Sequence, residues 1–152
     1  PPLPVPTIPA SPPQPAKNLC DEIAEMLRMA DQGRLREALQ SCDTLLKHEK
    51  CNADLHCCRA LVAEPLGDHA GARKSLQRAL YLDRKHVLAH FFLGLLHQRI
   101  AERTDAIRSF ETVLTLLPNC TLPPALLSDN LNREELARIA RTQLEVLKNN
   151  GY

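Results

Sequence analysis

Six cysteines and six histidines are among the side chains of this 152-residue chain that could bind a metal ion or act as nucleophiles. The cysteines lack the C-x-x-C spacing of structural zinc sites, although His48, Cys51, His56 and Cys57 form a loose cluster in the sequence. We expect these four residues to face different ways on separate helices, and a buried cysteine acts as a small hydrophobic residue. The sequence therefore predicts no metal site and a reducing, cytoplasmic location.

Motifs for catalysis or cofactor binding do not occur in the sequence. The five glycines form neither a phosphate-binding loop nor a dinucleotide fingerprint, and the G-x-S-x-G and H-E-x-x-H patterns are missing. Glu134 and Glu135 are adjacent acids, but they open a predicted helix, where they complement its dipole. We predict that this chain holds no catalytic residue and no cofactor.

A spacing of 34 residues organises most of the chain. Four sets of residues recur at that distance: Gly33, Gly67 and Ala101; Ala38, Ala72 and Ala106; Ser41, Ser75 and Ser109; Leu46, Leu80 and Leu114. This period is typical of the tetratricopeptide repeat (TPR), a helix–turn–helix unit. Such units stack into scaffolds that bind other proteins.

The pattern predicts an all-α fold, an α-solenoid of three TPR units plus a C-terminal capping helix. The units span about 19–52, 53–86 and 87–120, with helices at about 35–48, 53–63, 69–82, 87–99 and 105–117. Pro65 ends the first helix of the second unit near Glu64. After a loop, Asn132 and Glu135 resemble an N-cap with its acidic partner, which predicts the capping helix at about 132–149.

The first 17 residues differ from the remaining 18–152. Eight of the twelve prolines lie in 1–15, so this segment cannot begin a helix and is predicted to be a semi-rigid linker. An SH3-type ligand is the alternative interpretation. Because a linker implies something upstream and the chain has no initiator Met, we expect a fragment of a longer protein.

Composition restricts the classes of partner. The chain is 44% hydrophobic and 24% charged, which suits a soluble globular protein, and no apolar run approaches a membrane span. Its formal charge is +1, with acids and bases interspersed. That balance argues against nucleic-acid binding, including binding by an RNA-reading helical repeat.

A binding groove can be predicted from the first helix of each unit, because these helices line the concave face of TPR arrays. Helical spacing assigns to it the residues Ile23, Leu27 and Ala30, then Cys57, Leu61 and Glu64, and finally Phe91, Leu95, Gln98 and Arg99. The Lys and Asn residues that clamp a peptide carboxylate are missing from these positions. The groove is therefore predicted to be apolar and to bind an amphipathic helix or an apolar peptide. The alternative is that the final helix or the proline segment fills it.

Beyond the period, the second half of the chain resembles the C-terminal TPR region of CheR-type bacterial chemoreceptor methyltransferases. The resemblance is carried by residues 79–94 (ALYLDRKHVLAHFFLG) and, in the same order as in that family, 108–110 (RSF), 114–118 (LTLLP), 127–130 (LSDN) and 139–145 (IARTQLE). The chain departs from the family pattern at Arg84, where proline is frequent, and at Asn130, where glycine is frequent.

The resemblance implies a parent enzyme that transfers methyl groups from S-adenosylmethionine to receptor glutamates. This chain would be its regulatory or docking module, with a chemoreceptor or another signalling protein as partner and with the catalytic residues and the cofactor site elsewhere. The alternative interpretations are an oligomerisation or autoinhibitory element and, last, a metal-binding module.

Overall fold

Helices begin and end in phase with the 34-residue period. The computed structural model describes residues 18–128 and 130–149, and the predicted linker lies outside these residues. The helices of the described part are α1 (Leu19–Asp31), α2 (Leu35–His48), α3 (Ala53–Ala63), α4 (His69–Leu82), α5 (Val87–Arg99), α6 (Arg103–Leu116) and α7 (Arg133–Asn149). The all-α fold is confirmed, and the predicted bounds of α2 to α5 agree with the structure. α6 begins two residues before the predicted Asp105: the Ala106 N–H already donates to the Glu102 carbonyl oxygen at 3.0 Å, although the Glu102 side chain makes no capping hydrogen bond.

Side-chain caps recur at the start of the first helix of each unit. The side chains of Asn18, Asn52 and His86, spaced by one period, accept hydrogen bonds from backbone N–H groups of α1, α3 and α5. Each cap satisfies a donor that the helix itself leaves unpaired. Asn132 does the same for α7, where it accepts from the Glu135 N–H at 3.0 Å. These short-range signals set the helix starts.

Left-handed residues end the first helix of each unit. Gly33, Gly67 and Ala101 have φ values of 82°, 83° and 61°. Glycine adopts this conformation without steric cost, whereas alanine is strained there. In the second unit the predicted break at Pro65 takes the form of a 3₁₀ turn, Glu64–Leu66.

At one pair of facing positions in each unit, the side chains of the two helices are complementary in size. Met26 faces Cys42 with their sulfur atoms 3.4 Å apart. In the third unit the same positions hold Gly94 and Phe110, and a Cβ on Gly94 would lie only 3.0 Å from the Phe110 ring. The middle unit has Ala60 and Leu76, both buried. A large residue on one helix is thus matched by a small one on the other, which preserves the packed volume.

Ion pairs and hydrogen bonds link successive helical pairs. Arg59 of α3 donates to Asp43 of α2 at 2.6 Å, and Arg73 of α4 pairs with Glu102 at 2.9 Å. The final helix α7 packs on α6. None of the described helices is both long enough and apolar enough to cross a membrane.

Candidate functional site

One side chain from the first helix of each unit contributes to a shared surface. Leu27 of α1, Leu61 of α3 and Leu95 of α5 are spaced by one period, and all three are half-buried. Leu27 and Leu61 line an open groove of about 570 Å³. Leu61 and Leu95 line a smaller cavity of about 90 Å³ between α3, α4 and α5. Phe92 borders both, so the three leucines belong to one continuous apolar surface.

Three predicted groove residues lie in the core instead. Ile23, Cys57 and Phe91, also spaced by one period, are 2%, 0% and 2% exposed. Phe91 packs edge-on against Phe110, with ring centroids 6.1 Å apart. Each residue turns a helix by about 100°, so the neighbouring Phe92 reaches the groove in place of Phe91. The structure therefore corrects the predicted lining at these three positions.

The remaining predicted residues lie at the ends of α3 and α5. The Arg99 guanidinium pairs with the Glu64 carboxylate at the rim of the small cavity. His69 Nδ1 lies 3.4 Å from the same carboxylate. Gln98 donates from Nε2 to Gln143 of α7 at 2.6 Å, so it joins the capping helix to α5. The rim thus carries one acid and one base beside an apolar floor.

A segment that sequence reasoning interpreted only as a loop lines part of the groove. We call residues 121–128 the strap. Its 3₁₀ turn, Pro124–Leu126, packs against α1, and Leu126 is only 4% exposed. Arg133 of α7 donates to the carbonyl oxygens of Leu117 and Cys120, which anchors the residues that immediately precede the strap. The sequence signal was an apolar Ala-Leu-Leu run, residues 125–127, inside a segment interpreted only as a loop.

The strap changes how the groove can be occupied. Sequence reasoning left open that the final helix or the proline segment fills it. In the described residues the strap contributes Ala125, Leu126 and Leu127 to the lining of the groove, together with Leu27 and Leu61. Among the described residues that line the groove, the charged ones are Arg28 and Asp31 of α1. The proline segment lies outside the described residues.

Burial and hydrogen bonding keep two core thiols protonated. Burial raises the pKa of Cys57 above its ordinary value. A hydrogen bond with Cys42, whose sulfur lies 3.9 Å away, together with burial, raises the pKa of Cys58. A protonated, enclosed thiol is a poor nucleophile and a poor metal ligand. These cysteines pack as small hydrophobic residues.

Potential metal ligands come together elsewhere than in the loose sequence cluster of His48, Cys51, His56 and Cys57. His97, Glu102 and Asp105 have ligand atoms within 4.8 Å of one another. Hydrogen bonds from His97 and Arg73 lower the pKa of Glu102. Because His97 Nδ1 lies 2.6 Å from this carboxylate and Arg73 pairs with it at 2.9 Å, the carboxylate of Glu102 already has partners from the chain itself. In the loose sequence cluster, the His56 ring instead donates a hydrogen bond to the Lys50 carbonyl oxygen at 2.9 Å.

Comparison with known proteins supports the fold. No protein-family model and no curated protein matches the chain. Among solved structures, the first TPR of Spaghetti (RPAP3) bound to an HSP90 peptide is 20% identical, with a TM-score of 0.67 over 84% of this chain and 88% of that one. PcrH in complex with the chaperone-binding region of PopD is 18% identical, with a TM-score of 0.70 over 84% and 89%.

A plant protein gives the same result. The Arabidopsis OM64 TPR domain is 19% identical, with a TM-score of 0.65 over 84% of this chain and 94% of that domain. At these identities the likeness concerns the fold alone. The TPR-like α-solenoid is thus confirmed.

Proposed function

We propose that this chain is a protein-interaction module that binds an apolar or amphipathic segment of another protein in its concave groove. The observation that carries the proposal is the continuous apolar surface of Leu27, Leu61, Phe92 and Leu95. Open apolar surface of this kind signifies contact in soluble proteins. Structures of the same fold hold peptides, namely RPAP3 with an HSP90 peptide and PcrH with a region of PopD.

An amphipathic helix fits the chemistry of this groove best. The floor is aliphatic and aromatic, and charges of both signs stand at its borders, from Arg28 and Asp31 at one end to Glu64 and Arg99 at the other. A helix with an apolar stripe flanked by polar residues would bury the stripe against the leucines. Its polar flanks would meet the border charges.

For the biological setting, we propose the regulatory or docking part of a chemotaxis-type protein-glutamate methyltransferase in the cytoplasm. The support is the sequence resemblance of residues 79–94 and of the segments that follow them. The partner would then be a chemoreceptor or an associated signalling protein. Methyl transfer from S-adenosylmethionine would belong to a catalytic domain outside this chain.

The second candidate function is autoinhibition, and the strap favours it. Because its turn packs against α1 and its leucines line the groove, the strap lies beside any bound segment. A partner longer than the open part of the groove would have to displace it. Regulation would then consist of a competition between partner and strap.

The test is a peptide array that covers the cytoplasmic region of a bacterial chemoreceptor and a methyltransferase catalytic domain. The chain is compared with its variants Leu27→Glu and Leu95→Glu, because both side chains are half-buried and belong to the apolar surface. We expect each variant to weaken a bound peptide at least about tenfold, or about 1.4 kcal/mol. Val146→Glu, at an exposed α7 position, is the matched control. If all three variants bind the peptide equally well, the groove is not the binding site.

A further inference from the structure

A recess between α2, α3 and α4 is lined by basic side chains. Its volume is about 260 Å³, and we call it the basic pocket. Its lining includes Arg59 of α3 and Lys74, Ser75 and Arg78 of α4, and it contains no acidic residue of the described chain. The concave groove and the small cavity beside it share no lining residue with this pocket. The basic pocket is therefore a separate site.

Hydrogen bonds hold two of these side chains in place. The Arg59 side chain is 23% exposed, and its Nε donates to the Asp43 carboxylate at 2.6 Å. Its Nη1 donates to Ser75 Oγ at 3.0 Å, and Ser75 is only 5% exposed. Because Oγ accepts this bond, its own proton is available for donation, and no acceptor among the described residues takes it. The fold thus holds a guanidinium and a hydroxyl donor at the pocket before any ligand binds.

Lys74 and Arg78 differ from Arg59 because their charges are unpaired in the described part of the chain. Both side chains are exposed, and neither forms an ion pair or a side-chain hydrogen bond with another described residue. Residues 1–17 contain no aspartate or glutamate, so that segment offers these bases no carboxylate side chain. The two bases are one helical turn apart, and like charges at that spacing destabilise a helix. An anion that lies between them would remove this repulsion.

The pair of bases on α4 does not follow the 34-residue period. In the first unit the positions of Lys74 and Arg78 are held by Gln40 and Thr44, and the third unit has Thr112 at the second of them. Residues that repeat packing requires recur from unit to unit, as the alanines of the helix crossings do. Packing of the units therefore does not require this pair, which is particular to the unit that contains the recess.

We propose that the basic pocket binds a phosphoryl group, carried either by a phosphorylated side chain of another protein or by a small phosphate compound. A phosphoryl group has a charge of about −1.5 to −2 at neutral pH and three acceptor oxygens. That charge balances the two unpaired bases, and the oxygens can accept from Lys74, Arg78 and the Ser75 hydroxyl. A carboxylate has a single negative charge, so it would balance one base only. Hydrogen bonds to an ionised group are stronger than those between neutral groups.

Arg59 contributes position to this site more than net charge. Asp43 already balances its guanidinium, and the bond from Nη1 to Ser75 Oγ leaves the hydroxyl proton for the phosphoryl oxygen. The inference goes beyond the proposed function, because the pocket would bind a phosphoryl group whether or not the concave groove holds a peptide.

The experiment titrates the full chain with three probes: inorganic phosphate, phosphoserine blocked at both ends, and glutamate blocked at both ends. Amide ¹H–¹⁵N NMR spectra give the Kd of each probe from the shifts of Gly71 and Ser75, which line the pocket. The ionic strength is kept constant because salt screens exposed charges.

Three variants test the roles of the side chains. Lys74→Gln with Arg78→Gln removes the unpaired bases, and Ser75→Ala removes the hydroxyl donor. Arg108→Gln with Arg141→Gln is the matched control, since it removes two exposed bases of α6 and α7, the first of them one period after Lys74. Circular dichroism checks the fold of each variant, and Lys74→Gln alone replaces the pair if the double variant is not folded.

We expect both phosphoryl probes to give saturable shifts. Their Kd should rise at least about tenfold in the Lys74→Gln, Arg78→Gln variant and less than about twofold in the control. Ser75→Ala should raise it at least about threefold, because one hydrogen bond to the ligand is lost. Blocked glutamate should bind at least about tenfold more weakly than blocked phosphoserine.

Three results would overturn the proposal. Equal weakening by the pocket variant and by the control would show diffuse attraction, and glutamate binding as tight as that of phosphoserine would show a carboxylate site. An unchanged Kd in Ser75→Ala would place the anion on the exposed bases, outside the pocket. Between the two sources, tighter binding of blocked phosphoserine than of inorganic phosphate supports a phosphorylated protein side chain, and the reverse order supports a small phosphate compound.

Discussion

Ala101 carries backbone strain that its two counterparts in the period avoid. Its φ of 61° is left-handed, as are the 82° of Gly33 and the 83° of Gly67. We predict that Ala101→Gly raises the free energy of unfolding by about 0.5–1 kcal/mol, because glycine adopts this conformation without a Cβ clash. The gain is reduced by the greater freedom of glycine in the unfolded chain. Urea denaturation followed by circular dichroism measures it.

The reverse substitutions provide the control. A Cβ at Gly33 or at Gly67 would meet no atom within 4 Å, so alanine there changes only the backbone energy. Gly33→Ala and Gly67→Ala should each lower the free energy of unfolding by about 1 kcal/mol. If Ala101→Gly destabilises the protein while the reverse changes are neutral, the left-handed conformation does not control these turns.

At the scale of the element, the complementary side-chain sizes at these paired positions predict energetic coupling between the two helices of a unit. Gly94→Ala should lower the free energy of unfolding by about 1–3 kcal/mol, because its new Cβ meets the buried Phe110 ring at 3.0 Å. Phe110→Leu alone leaves a cavity. Together the two changes recreate the Ala60–Leu76 pair of the second unit, so the double variant should be about 1–2 kcal/mol more stable than the sum of the single effects.

A reciprocal cycle in the second unit is the matched control for this coupling. Leu76→Phe alone should overpack against Ala60, and Ala60→Gly should relieve it. Denaturant unfolding of all variants gives both cycles. If the effects on the free energy of unfolding are additive in both cycles, the complementary side-chain sizes do not contribute to stability.

Helix ends were predictable because their signals are local. Which face of α5 is buried and which faces the groove could not be predicted in the same way. The caps Asn18, Asn52 and Asn132 and the glycines of the turns act on residues within one turn of the chain. In α5, apolar residues surround the whole helix, so periodicity could not decide whether Phe91 or Phe92 reached the groove. That choice depends on packing against Phe110, a residue of the next helix.

The strap shows the same limit over a longer distance. Its apolar residues 125–127 follow two prolines, and local rules correctly make the segment irregular. Its packing on α1 joins parts of the chain about a hundred residues apart, which no short-range pattern encodes. The sequence thus indicated an apolar concave face and missed the segment that forms one wall of it.

At the scale of the whole molecule, the strap ties the two ends of the solenoid together. α1 contributes Ile23 and Met26 to the buried core, whereas α5 contributes eight buried residues. In a stack where each unit contacts its neighbours, a terminal helix with so little burial frays first. Packing of Leu126 and its turn against α1 opposes this fraying from the far end of the chain.

We therefore predict that Leu126→Ala accelerates amide hydrogen exchange in α1 at least about tenfold, which corresponds to about 1.4 kcal/mol of lost local stability. α5 should keep its protection. Leu147→Ala is the matched control, since it removes an equally apolar buried side chain from α7 and should accelerate exchange in α6 and α7 instead. If both variants accelerate α1 alike, the ends of the solenoid are coupled through its core. If only Leu126→Ala does so, a partner that displaces the strap would also loosen α1, which links occupation of the groove to the stability of the first unit.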